Sequence, residues 1–429
     1  MKKVLIITYY WPPSGGAGVQ RSLKFVKFLS SFGVQPFVLT VKEDAASYPV
    51  LDASLNAEVP SDVMVTRTAS FEPLKILQAV TSREKIPHGG FANTGKESAF
   101  QKIMKFVRGN FFIPDARVGW VSHACKKAVE LIEKEKIDTF YISSPPHSSQ
   151  LIGLKLKEKF PSLKWVVDFR DPWTDIYYYK ELMHTGAALR KDAAYEMRVL
   201  KTADEVITVS DSIKRMLAGK TGLPVSRFHV IPNGYDEDDF SPGVKPQRGE
   251  FCVTYTGSMA ASYKPEPFFR ALQNVADRHL HAGIRLKMVG THAGSAREII
   301  SETGLSAITE FIPPVEHAKA VEIMQQSAAL FLAIPDVPQN EGILTGKLFE
   351  YLASRRPVIA LGPVKGDAAR ILEDCKAGAM FERNDPARIE AHLESLVSRW
   401  EKGEDLANSD RTYEKYSRRN LTRQLASYL

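Results

Sequence analysis

The chain of 429 residues has little cysteine and no long apolar run, and both absences limit what it can be. Its three cysteines, Cys125, Cys252 and Cys375, are widely spaced and odd in number, and no CxxC or Cys/His zinc spacing occurs. This pattern argues against a disulfide framework or a zinc site and fits a reducing cytoplasm. No uninterrupted apolar stretch approaches the ~20 residues that span a bilayer, so no transmembrane helix is predicted.

Sequence signatures of nucleotide cofactors and bound metals are also missing. The segment Gly16-Ala17-Gly18 supplies GxG without the third glycine of a dinucleotide-binding loop, and no P-loop GK[ST] with its leading glycine occurs. No acidic pair stands at a predicted strand end to hold Mg²⁺, since Asp238-Asp239 lies in a turn-rich linker. We therefore expect a protein without a cofactor or a metal.

The charge balance is basic, with a formal net charge of +7 and a sequence pI of about 9.0. Such an excess is compatible with nucleic acid, an anionic membrane surface or a phosphorylated substrate, although a mildly basic solvated surface accounts for much of it. Because no RNA- or DNA-binding signature is present, we expect no nucleic-acid partner.

Apolar strand patterns alternate with amphipathic helix patterns along most of the chain. The alternation begins with the strand Val4–Thr8, breaks at the turn-rich segment that starts at Ile231-Pro232-Asn233-Gly234, and restarts at Val253–Thr256. Apolar strands separated by helices indicate parallel sheets covered on both faces. We predict an α/β protein with two Rossmann-like, doubly wound domains facing a central cleft. Their bounds are 1–240 and 241–405, followed by a C-terminal helix in 406–429 that packs back towards the first domain.

One predicted helix departs from this alternation. Its apolar residues on one helical face are Phe100, Ile103, Met104, Val107 and Phe111. Lys102, Lys105 and Arg108 lie on other faces, and Ala99–Asn110 contains no acid. A short basic amphipathic helix can lie in a membrane interface. The alternative is that its apolar face packs on its own domain.

The most informative segment combines a loop, a short helix and a buried strand. Lys347 and Glu350 are three residues apart, nearly one turn, so both side chains can face one ligand. A helix N-terminus with a lysine suits a phosphate, and a carboxylate one turn later suits the paired hydroxyls of a ribose. The sequence therefore predicts a sugar-nucleotide site, although a simple helix cap is the alternative. The expected donor-binding residues here are Glu341, Thr345, Gly346, Lys347 and Glu350.

A second donor-binding segment follows the first strand of the second domain. Ser258 comes directly after the predicted strand end at Thr256-Gly257, and Lys264 comes shortly afterwards. We expect Lys264 to reach a diphosphate from the side opposite Lys347, and the alternative is an ordinary surface lysine. Two cations would stabilise the charge that develops on a leaving nucleoside diphosphate without a metal.

In the first domain, two loops follow predicted strands where open α/β sheets bind ligands. Gly15 and Gly16 lie in the first loop, where glycine lets a substrate approach the backbone; a structural turn is the alternative. We assign Gly15 to the acceptor and Gly16 to the donor. His147 lies in the second loop and can hydrogen-bond a sugar hydroxyl or assist proton transfer, or else hydrogen-bond locally.

A third loop follows the strand Trp165-Val166-Val167. We assign catalytic roles to Asp168 and Asp171, and acceptor binding to Arg170 and to Trp173, whose indole would stack on a sugar ring. The alternative is a salt bridge from Arg170 to one of these acids that locks the loop.

These residues together resemble a known family. The segments that carry the resemblance are Tyr9-Tyr10-Trp11-Pro12-Pro13-Ser14-Gly15-Gly16, Ser144-Pro145-Pro146-His147, Asp168-Phe169-Arg170-Asp171-Pro172-Trp173, Ile231-Pro232-Asn233-Gly234, Tyr255-Thr256-Gly257 and Lys347-Leu348-Phe349-Glu350-Tyr351-Leu352. The chain resembles GT-B glycosyltransferases along nearly its whole length, and within them the retaining glycosyltransferase family 4 of bacterial cell-surface polysaccharide type.

The resemblance implies a role for some residues and departs from the family pattern at others. Glu350 matches the second of two family glutamates, which holds the ribose, whereas the first falls on Gly342, one place after Glu341. Ser258 stands where the family has an arginine, and Lys264 approximately fills the later lysine position. The family's catalytic histidine aligns nearer Ser144 than His147, and Lys347 would replace the cation missing at Ser258.

The activity implied is transfer of a hexosyl or N-acetylhexosaminyl group, with retention, from a nucleotide donor such as a UDP- or GDP-sugar. The acceptor would be a glycan or lipid-linked intermediate of polysaccharide biosynthesis. We expect a cytoplasmic protein, peripheral on the inner face of the plasma membrane. Two alternatives stay open: a sugar-nucleotide epimerase of the same fold, and an inactive sugar-nucleotide-binding subunit.

Overall fold

The computed structural model describes residues 1–72, 99–247, 249–292 and 294–429. They form two compact units: Met1–Pro232 together with Arg418–Leu429, and Asn233–Ser417. Each unit contains one parallel sheet with helices packed on it, so the predicted pair of Rossmann-like α/β domains is confirmed. The units divide at Pro232 and Arg418, where the sequence had suggested divisions near 240 and 406.

Within the described residues, the first unit has a seven-stranded sheet in the order β3-β2-β1-β4-β5-β6-β7. Its strands are β1 Lys2–Ile7, β2 Val34–Val41, β3 Met64–Thr68, β4 Thr139–Ser144, β5 Lys164–Phe169, β6 Glu205–Thr208 and β7 Phe228–Val230. Its helices are α1 Ala17–Leu29, α2 Ala99–Phe111, α3 Val121–Glu135, α4 Gln150–Lys159, α5 Gly186–Thr202, α6 Asp211–Thr221 and, at the end of the chain, α13 Arg418–Tyr428. The central strand β1 carries a buried apolar run, as expected where both faces of a sheet are covered, whereas the edge strand β3 is largely polar and partly exposed.

Within the described residues, the second unit has a six-stranded sheet in the order β10-β9-β8-β11-β12-β13. Its strands are β8 Cys252–Thr256, β9 Arg285–Val289, β10 Thr309–Ile312, β11 Ala329–Ala333, β12 Val358–Leu361 and β13 Gly378–Phe381. Its helices are α7 Glu266–Arg278, α8 Gly294–Glu302, α9 His317–Gln326, α10 Gly346–Ser354, α11 Asp367–Asp374 and α12 Pro386–Glu401.

The strand orders locate the ligand edge of each sheet. In the first unit the order reverses between β1 and β4, and in the second unit between β8 and β11. Open α/β sheets bind ligands beyond the carboxyl ends of their strands at such switch points. The loops after β1 and β4, and those after β8 and β11, are therefore the places where function is expected.

The end of the chain is divided between the units. Helix α13 packs on α1 and places Leu421, Leu425 and Leu429 in the core of the first unit. The segment before it belongs to the second unit, where Arg355 Nε donates to the carbonyl of Asn408 at 2.7 Å. Only the last twelve residues therefore belong to the first unit, whereas the sequence had assigned 406–429 to one helical tail.

Helix α2 buries part of its basic face. Both interpretations of the sequence, membrane contact and inward packing of the apolar face, had left these basic residues exposed. Lys105 is only 7% exposed and Arg108 is half-buried, whereas Ile103 and Phe111 are 60% and 72% exposed. The inward face is completed by Gly109, where an added Cβ would lie 2.2 Å from the carbonyl oxygen of Leu182. The apolar face is thus only partly covered, with Met104 and Val107 half-buried and Ile103 and Phe111 exposed. No helix in the described ranges has the length and apolar character that a bilayer span requires.

Candidate functional site

In the second unit, Lys347 lies at the switch point of the sheet. It occupies the first turn of α10, and its Nζ donates a hydrogen bond of 2.6 Å to Tyr255 Oη, from the strand β8. The ammonium also lies 4.1 Å from the centroid of the Tyr255 ring, within range of a cation–π interaction. Burial lowers the pKa of Lys347 to about 7, and the Glu350 carboxylate partly opposes this effect. An amine so placed can gain a proton when an anion binds.

The turn after β8 makes room for this lysine. Gly257 has φ +94, and a Cβ there would lie 3.3 Å from both Cε and Nζ of Lys347. The next residue, Ser258, is exposed, and its carbonyl accepts a hydrogen bond of 2.7 Å from Tyr255. The predicted donor segment at Thr256-Gly257-Ser258 therefore borders Lys347 through its backbone.

Lys264 does not join Lys347 in this structure. Its exposed ammonium pairs with Asp336 at 2.6 Å, and the pKa of Asp336 is lowered, first by this hydrogen bond. A diphosphate would have to compete with that carboxylate for the lysine. The second cation of the predicted pair thus stays a prediction that the geometry does not favour.

The other predicted donor residues surround the start of α10. Thr345 is the N-cap, and its side chain makes no capping hydrogen bond; its Oγ1 is buried without a hydrogen-bond partner among the described residues. An added Cβ at Gly346 would meet no atom within 4 Å, so the backbone is open there. Glu350 is half-buried one turn later, and Glu341 is exposed in the preceding turn Asn340–Gly342.

In the first unit, three predicted loops come together at the carboxyl edge of the sheet. Arg170, after β5, donates from Nε to the carbonyl of Ser144 at 3.1 Å and from Nη2 to that of Pro145 at 3.0 Å. Its two terminal nitrogens, Nη1 and Nη2, lie close to Gly18, where an added Cβ would be 3.6 Å from each. Arg170 therefore ties the loops after β4 and β5 together beside the start of α1, and no salt bridge from it to Asp168 or Asp171 occurs within the described residues.

The two glycines of the first loop have different environments. Gly15 is buried against the segment 50–52, where its amide donates to Val50 at 2.8 Å and an added Cβ would lie 3.1 Å from Asp52 Cβ. This packing favours a structural role over acceptor binding. Gly16 is exposed, has φ +85 and is the N-cap of α1, so its backbone is accessible to a ligand.

His147 lies in the loop after β4 as a half-buried side chain. Its ring stacks on Trp173 with centroids 4.8 Å apart and an interplanar angle of 14°. Burial lowers its pKa to about 4, so the imidazole is neutral above pH 5. Nδ1 is buried without a hydrogen-bond partner in the described part of the chain. A neutral imidazole here can donate a hydrogen bond to a hydroxyl or accept one from it, but it contributes no positive charge.

Asp168 occupies the interior of the unit instead of its ligand edge. Arg21 binds both carboxylate oxygens, at 2.8 and 2.9 Å, and Tyr141 and Ser143 donate to Oδ2 at 2.6 and 2.8 Å. Burial opposes ionisation, but Arg21 and these donors outweigh it and lower the pKa of Asp168. With zero exposure, Asp168 has no path to a substrate, so the position argues against the catalytic role that the sequence suggested.

Trp173 is likewise enclosed. It is 1% exposed, packs against His147 and donates from Nε1 to Asp192 at 2.9 Å. Its indole therefore supports the His147 ring and is not exposed to stack on a sugar.

Asp171, which lies between Asp168 and Trp173 in sequence, is half-buried, and its pKa is raised by burial. Among the acids of this loop, Asp171 is thus the better placed to accept a hydrogen bond from a substrate hydroxyl.

Sequence reasoning missed two residues that organise these sites. Tyr255 belongs to a quoted motif, yet nothing in a buried strand indicates that its hydroxyl meets a lysine 92 positions later. Arg21 reads as one polar position of an amphipathic helix, and only the fold brings it to Asp168. In the described ranges, no group of three or more His, Cys, Asp or Glu side chains is arranged to hold a metal.

Two family models match successive parts of the chain. The model described as Glycosyltransferase Family 4 matches residues 91–239, and the model described as Glycosyl transferases group 1 matches residues 250–399. A curated relative, D-inositol 3-phosphate glycosyltransferase of Corynebacterium kroppenstedtii, is 23% identical over 219 residues, 47% of this chain and 47% of its own length. The chain spans about half the length of the curated relatives it matches.

Solved structures share the fold over the whole chain. A glycosyltransferase from Rickettsia africae has a TM-score of 0.62 at 15% identity, and the match covers 100% of this chain and 97% of the other. An Anabaena protein solved in complex with UDP-glucose has a TM-score of 0.57 at 13% identity, covering 100% and 99%. From its two Rossmann-like units and the two family models that match them, the chain belongs to the GT-B glycosyltransferases of the family 4-like kind.

Proposed function

We propose that this protein transfers a hexosyl or N-acetylhexosaminyl group from a nucleotide diphosphate sugar to a glycan or lipid-linked acceptor, with retention and without a metal. The observation that carries the proposal is the position of Lys347, a half-buried amine at the switch point of the second sheet. A UDP- or GDP-sugar fits the chemistry of that place. Family membership and an Anabaena neighbour that binds UDP-glucose support it.

The donor diphosphate would lie against the first turn of α10. Free backbone N–H groups at a helix N-terminus attract phosphate, and Gly346 leaves the approach to them open. Lys347 adds a cation in a partly dehydrated position, where its attraction for the departing diphosphate is stronger than in bulk water. Glu350, one turn further on, would accept hydrogen bonds from the ribose hydroxyls.

The acceptor would be bound by the first unit. Gly16 offers an open backbone, and Arg170 holds the loops after β4 and β5 in one arrangement. Asp171 and the neutral His147 are the groups there that can exchange hydrogen bonds with an attacking hydroxyl. The donor's own phosphate would take the proton as the glycosidic bond breaks, which is how transfer with retention can proceed without a protein base.

A direct test uses the purified full chain with UDP-, GDP- and ADP-sugars. We expect one nucleotide series to raise the melting temperature, because a ligand that binds the native state stabilises it. We also expect slow donor hydrolysis without acceptor, unaffected by EDTA. Interconversion of the sugar would instead indicate the epimerase, and binding without any turnover would indicate the inactive subunit.

Lys347→Met is the matched test of the site, since it keeps the length of the side chain and removes the charge. It should weaken donor binding by about tenfold or more, the loss expected for a hydrogen bond to a charged group. Lys319→Met is the control, because Lys319 is an exposed lysine of the same unit that pairs with Glu322. Equal donor binding by wild type and Lys347→Met would reject this donor site.

We further propose that the protein works in the cytoplasm on the inner face of the plasma membrane, with α2 in contact with anionic lipid. The exposed Ile103, Phe106 and Phe111 form an apolar surface near Met183, itself 47% exposed; Asn110 links the two segments through a hydrogen bond to the Met183 carbonyl at 3.0 Å. The exposed basic residues near these apolar residues in the sequence are Lys102, Lys180, Arg190 and Lys191. Apolar anchors with neighbouring positive charge suit such a membrane.

Vesicle flotation tests this attachment. The double variant Ile103→Ser, Phe111→Ser should lose binding to vesicles with anionic lipid, whereas Leu280→Ser, at an exposed apolar residue of the second unit, should bind as wild type does. Neutralising the buried Lys105 is a poor test, because it would disturb packing. Undiminished flotation of the double variant would exclude α2 as the contact.

A further inference from the structure

Lys347 is held by an oriented phenol. Tyr255 Oη donates its single hydrogen to the Ser258 carbonyl at 2.7 Å, so the same oxygen can only accept from Lys347 Nζ, at 2.6 Å. Burial raises the pKa of Tyr255 well above its usual value, so this group stays a phenol throughout the physiological range. The direction of both hydrogen bonds is therefore fixed by chemistry.

The space for the lysine is also fixed. Gly257 lies against Cε and Nζ of Lys347, and any side chain there would displace them. The Tyr255 ring packs below the ammonium, and the Tyr263 ring lies 5.7 Å from it. These surfaces leave the amine one defined position at the carboxyl end of β8.

Among the described residues, four titratable groups from four different segments surround this amine. Tyr255 comes from β8, Tyr263 from the turn Ala261–Tyr263, His292 follows β9, and Glu350 lies on α10 itself. Burial of the lysine outweighs the attraction of Glu350, and the pKa of His292 is also lowered, first by burial, so that this imidazole is neutral near pH 7. The protonation of Lys347 is therefore the one most sensitive to an incoming anion.

We propose that Tyr255 is a positioning residue for Lys347: it holds the amine beside the donor diphosphate and lets it take up a proton when the diphosphate binds. This inference rests on the proposed function, because it names the diphosphate as the ligand. The proton comes from solvent, and the resulting ammonium gains the attraction of the phosphate oxygens. Tyr255 itself exchanges no proton.

Competitive acetylation with mass spectrometry can test the proposal without knowledge of the donor. In the wild type, half of Lys347 should be reactive near pH 7, about three units below an exposed lysine. Tyr255→Phe removes the acceptor and should move that midpoint by about one further unit to lower pH, which corresponds to tenfold in the protonation equilibrium. Tyr235→Phe, at another buried tyrosine of the same unit, should leave the midpoint unchanged.

Donor binding supplies the second measurement. The sugar nucleotide that stabilises the wild type should protect Lys347 from acetylation and should bind Tyr255→Phe about tenfold more weakly at pH 8, with a smaller deficit at pH 6. Wild-type midpoint and affinity in Tyr255→Phe would overturn the positioning role alone. If no sugar nucleotide protects Lys347 in the wild type, the proposed donor site fails instead.

Discussion

The guanidinium of Arg21 forms a two-point ion pair with the carboxylate of Asp168, at 2.8 and 2.9 Å, in a fully buried part of the first unit. Nη2 of Arg21, which binds Asp168, also donates to the carbonyl of Ile231, and Nη1 donates to that of Pro232, both at 2.9 Å. One side chain thereby joins α1, β5 and the last residues of the unit before the chain leaves it.

Asp168→Ala should destabilise the first unit strongly. It leaves the Arg21 charge buried without its partner, a change that typically costs about 3–5 kcal/mol. Denaturant unfolding of the variant measures this loss, and the comparison is Asp138→Ala, at an exposed acid just before β4. A variant as stable as wild type but without transferase activity would restore Asp168 as a catalytic candidate.

The stability due to Asp168 should depend on pH in a defined direction. Its pKa is lower in the folded than in the unfolded protein, so the contribution is complete above the unfolded value of about 4 and is lost as pH falls through the folded value. The midpoint of denaturation should therefore fall on acidification below pH 4 more steeply in the wild type than in Asp168→Asn.

Asp171→Asn should reduce turnover and leave the fold intact. Within the described residues this half-buried carboxylate makes no ion pair, and a hydrogen bond from the acceptor hydroxyl to a charged group is worth about 10- to 100-fold in rate. Steady-state kinetics with varied acceptor should show the decrease, while the affinity for donor stays within twofold. Unchanged kinetics would remove Asp171 from the acceptor site.

Glu350→Ala should weaken nucleotide binding through the ribose. We expect about a tenfold loss for the nucleoside diphosphate that binds best. The 2′,3′-dideoxy form of that nucleotide supplies the control, because it cannot bond to Glu350 and should bind both proteins equally. If the variant weakens both nucleotides alike, the effect comes through Lys347 or the helix and not through the sugar.

Donor affinity should fall as pH rises above neutrality. The pKa of Lys347 in the unoccupied protein is about 7, and a bound diphosphate raises it, so binding above pH 7 requires uptake of a proton. Affinity should then decrease up to tenfold per pH unit between about 7 and 9. A sugar nucleotide is the suitable ligand, since its phosphates do not titrate there, and the slope should vanish in Lys347→Met.

Periodicity in the sequence was sufficient to predict the fold, because parallel strands buried on both faces are apolar throughout and contrast with the helices between them. Val4–Ile7 and Ala329–Ala333 show this pattern. It also predicted that His147 and Asp171 follow strands and that Lys347 begins a short helix after a strand, as they do; ligand binding by these residues stays a prediction. It could not show that Asp168, in β5 and two residues before the half-buried Arg170, turns inward to Arg21. That choice depends on a partner 147 residues away.

The orientation of α2 shows the same limit. The helical repeat identified an apolar face correctly, and ordinary burial would direct that face inward. In the structure Gly109 approaches the Leu182 carbonyl closely, while Ile103 and Phe111 are exposed. The sequence around Gly109 gives no indication of this contact or of the orientation of the helix.

The last helix of the chain has a consequence for biosynthesis. Because α13 fills part of the core around Val19 and Val26, the first unit lacks a core element until residues 418–429 have been synthesised. The second unit, by contrast, is one continuous stretch, Asn233–Ser417, and all of its residues are synthesised before α13 is. Removal of residues 418–429 would therefore disturb the first unit, although these residues are nearly 190 positions away from the rest of it in sequence.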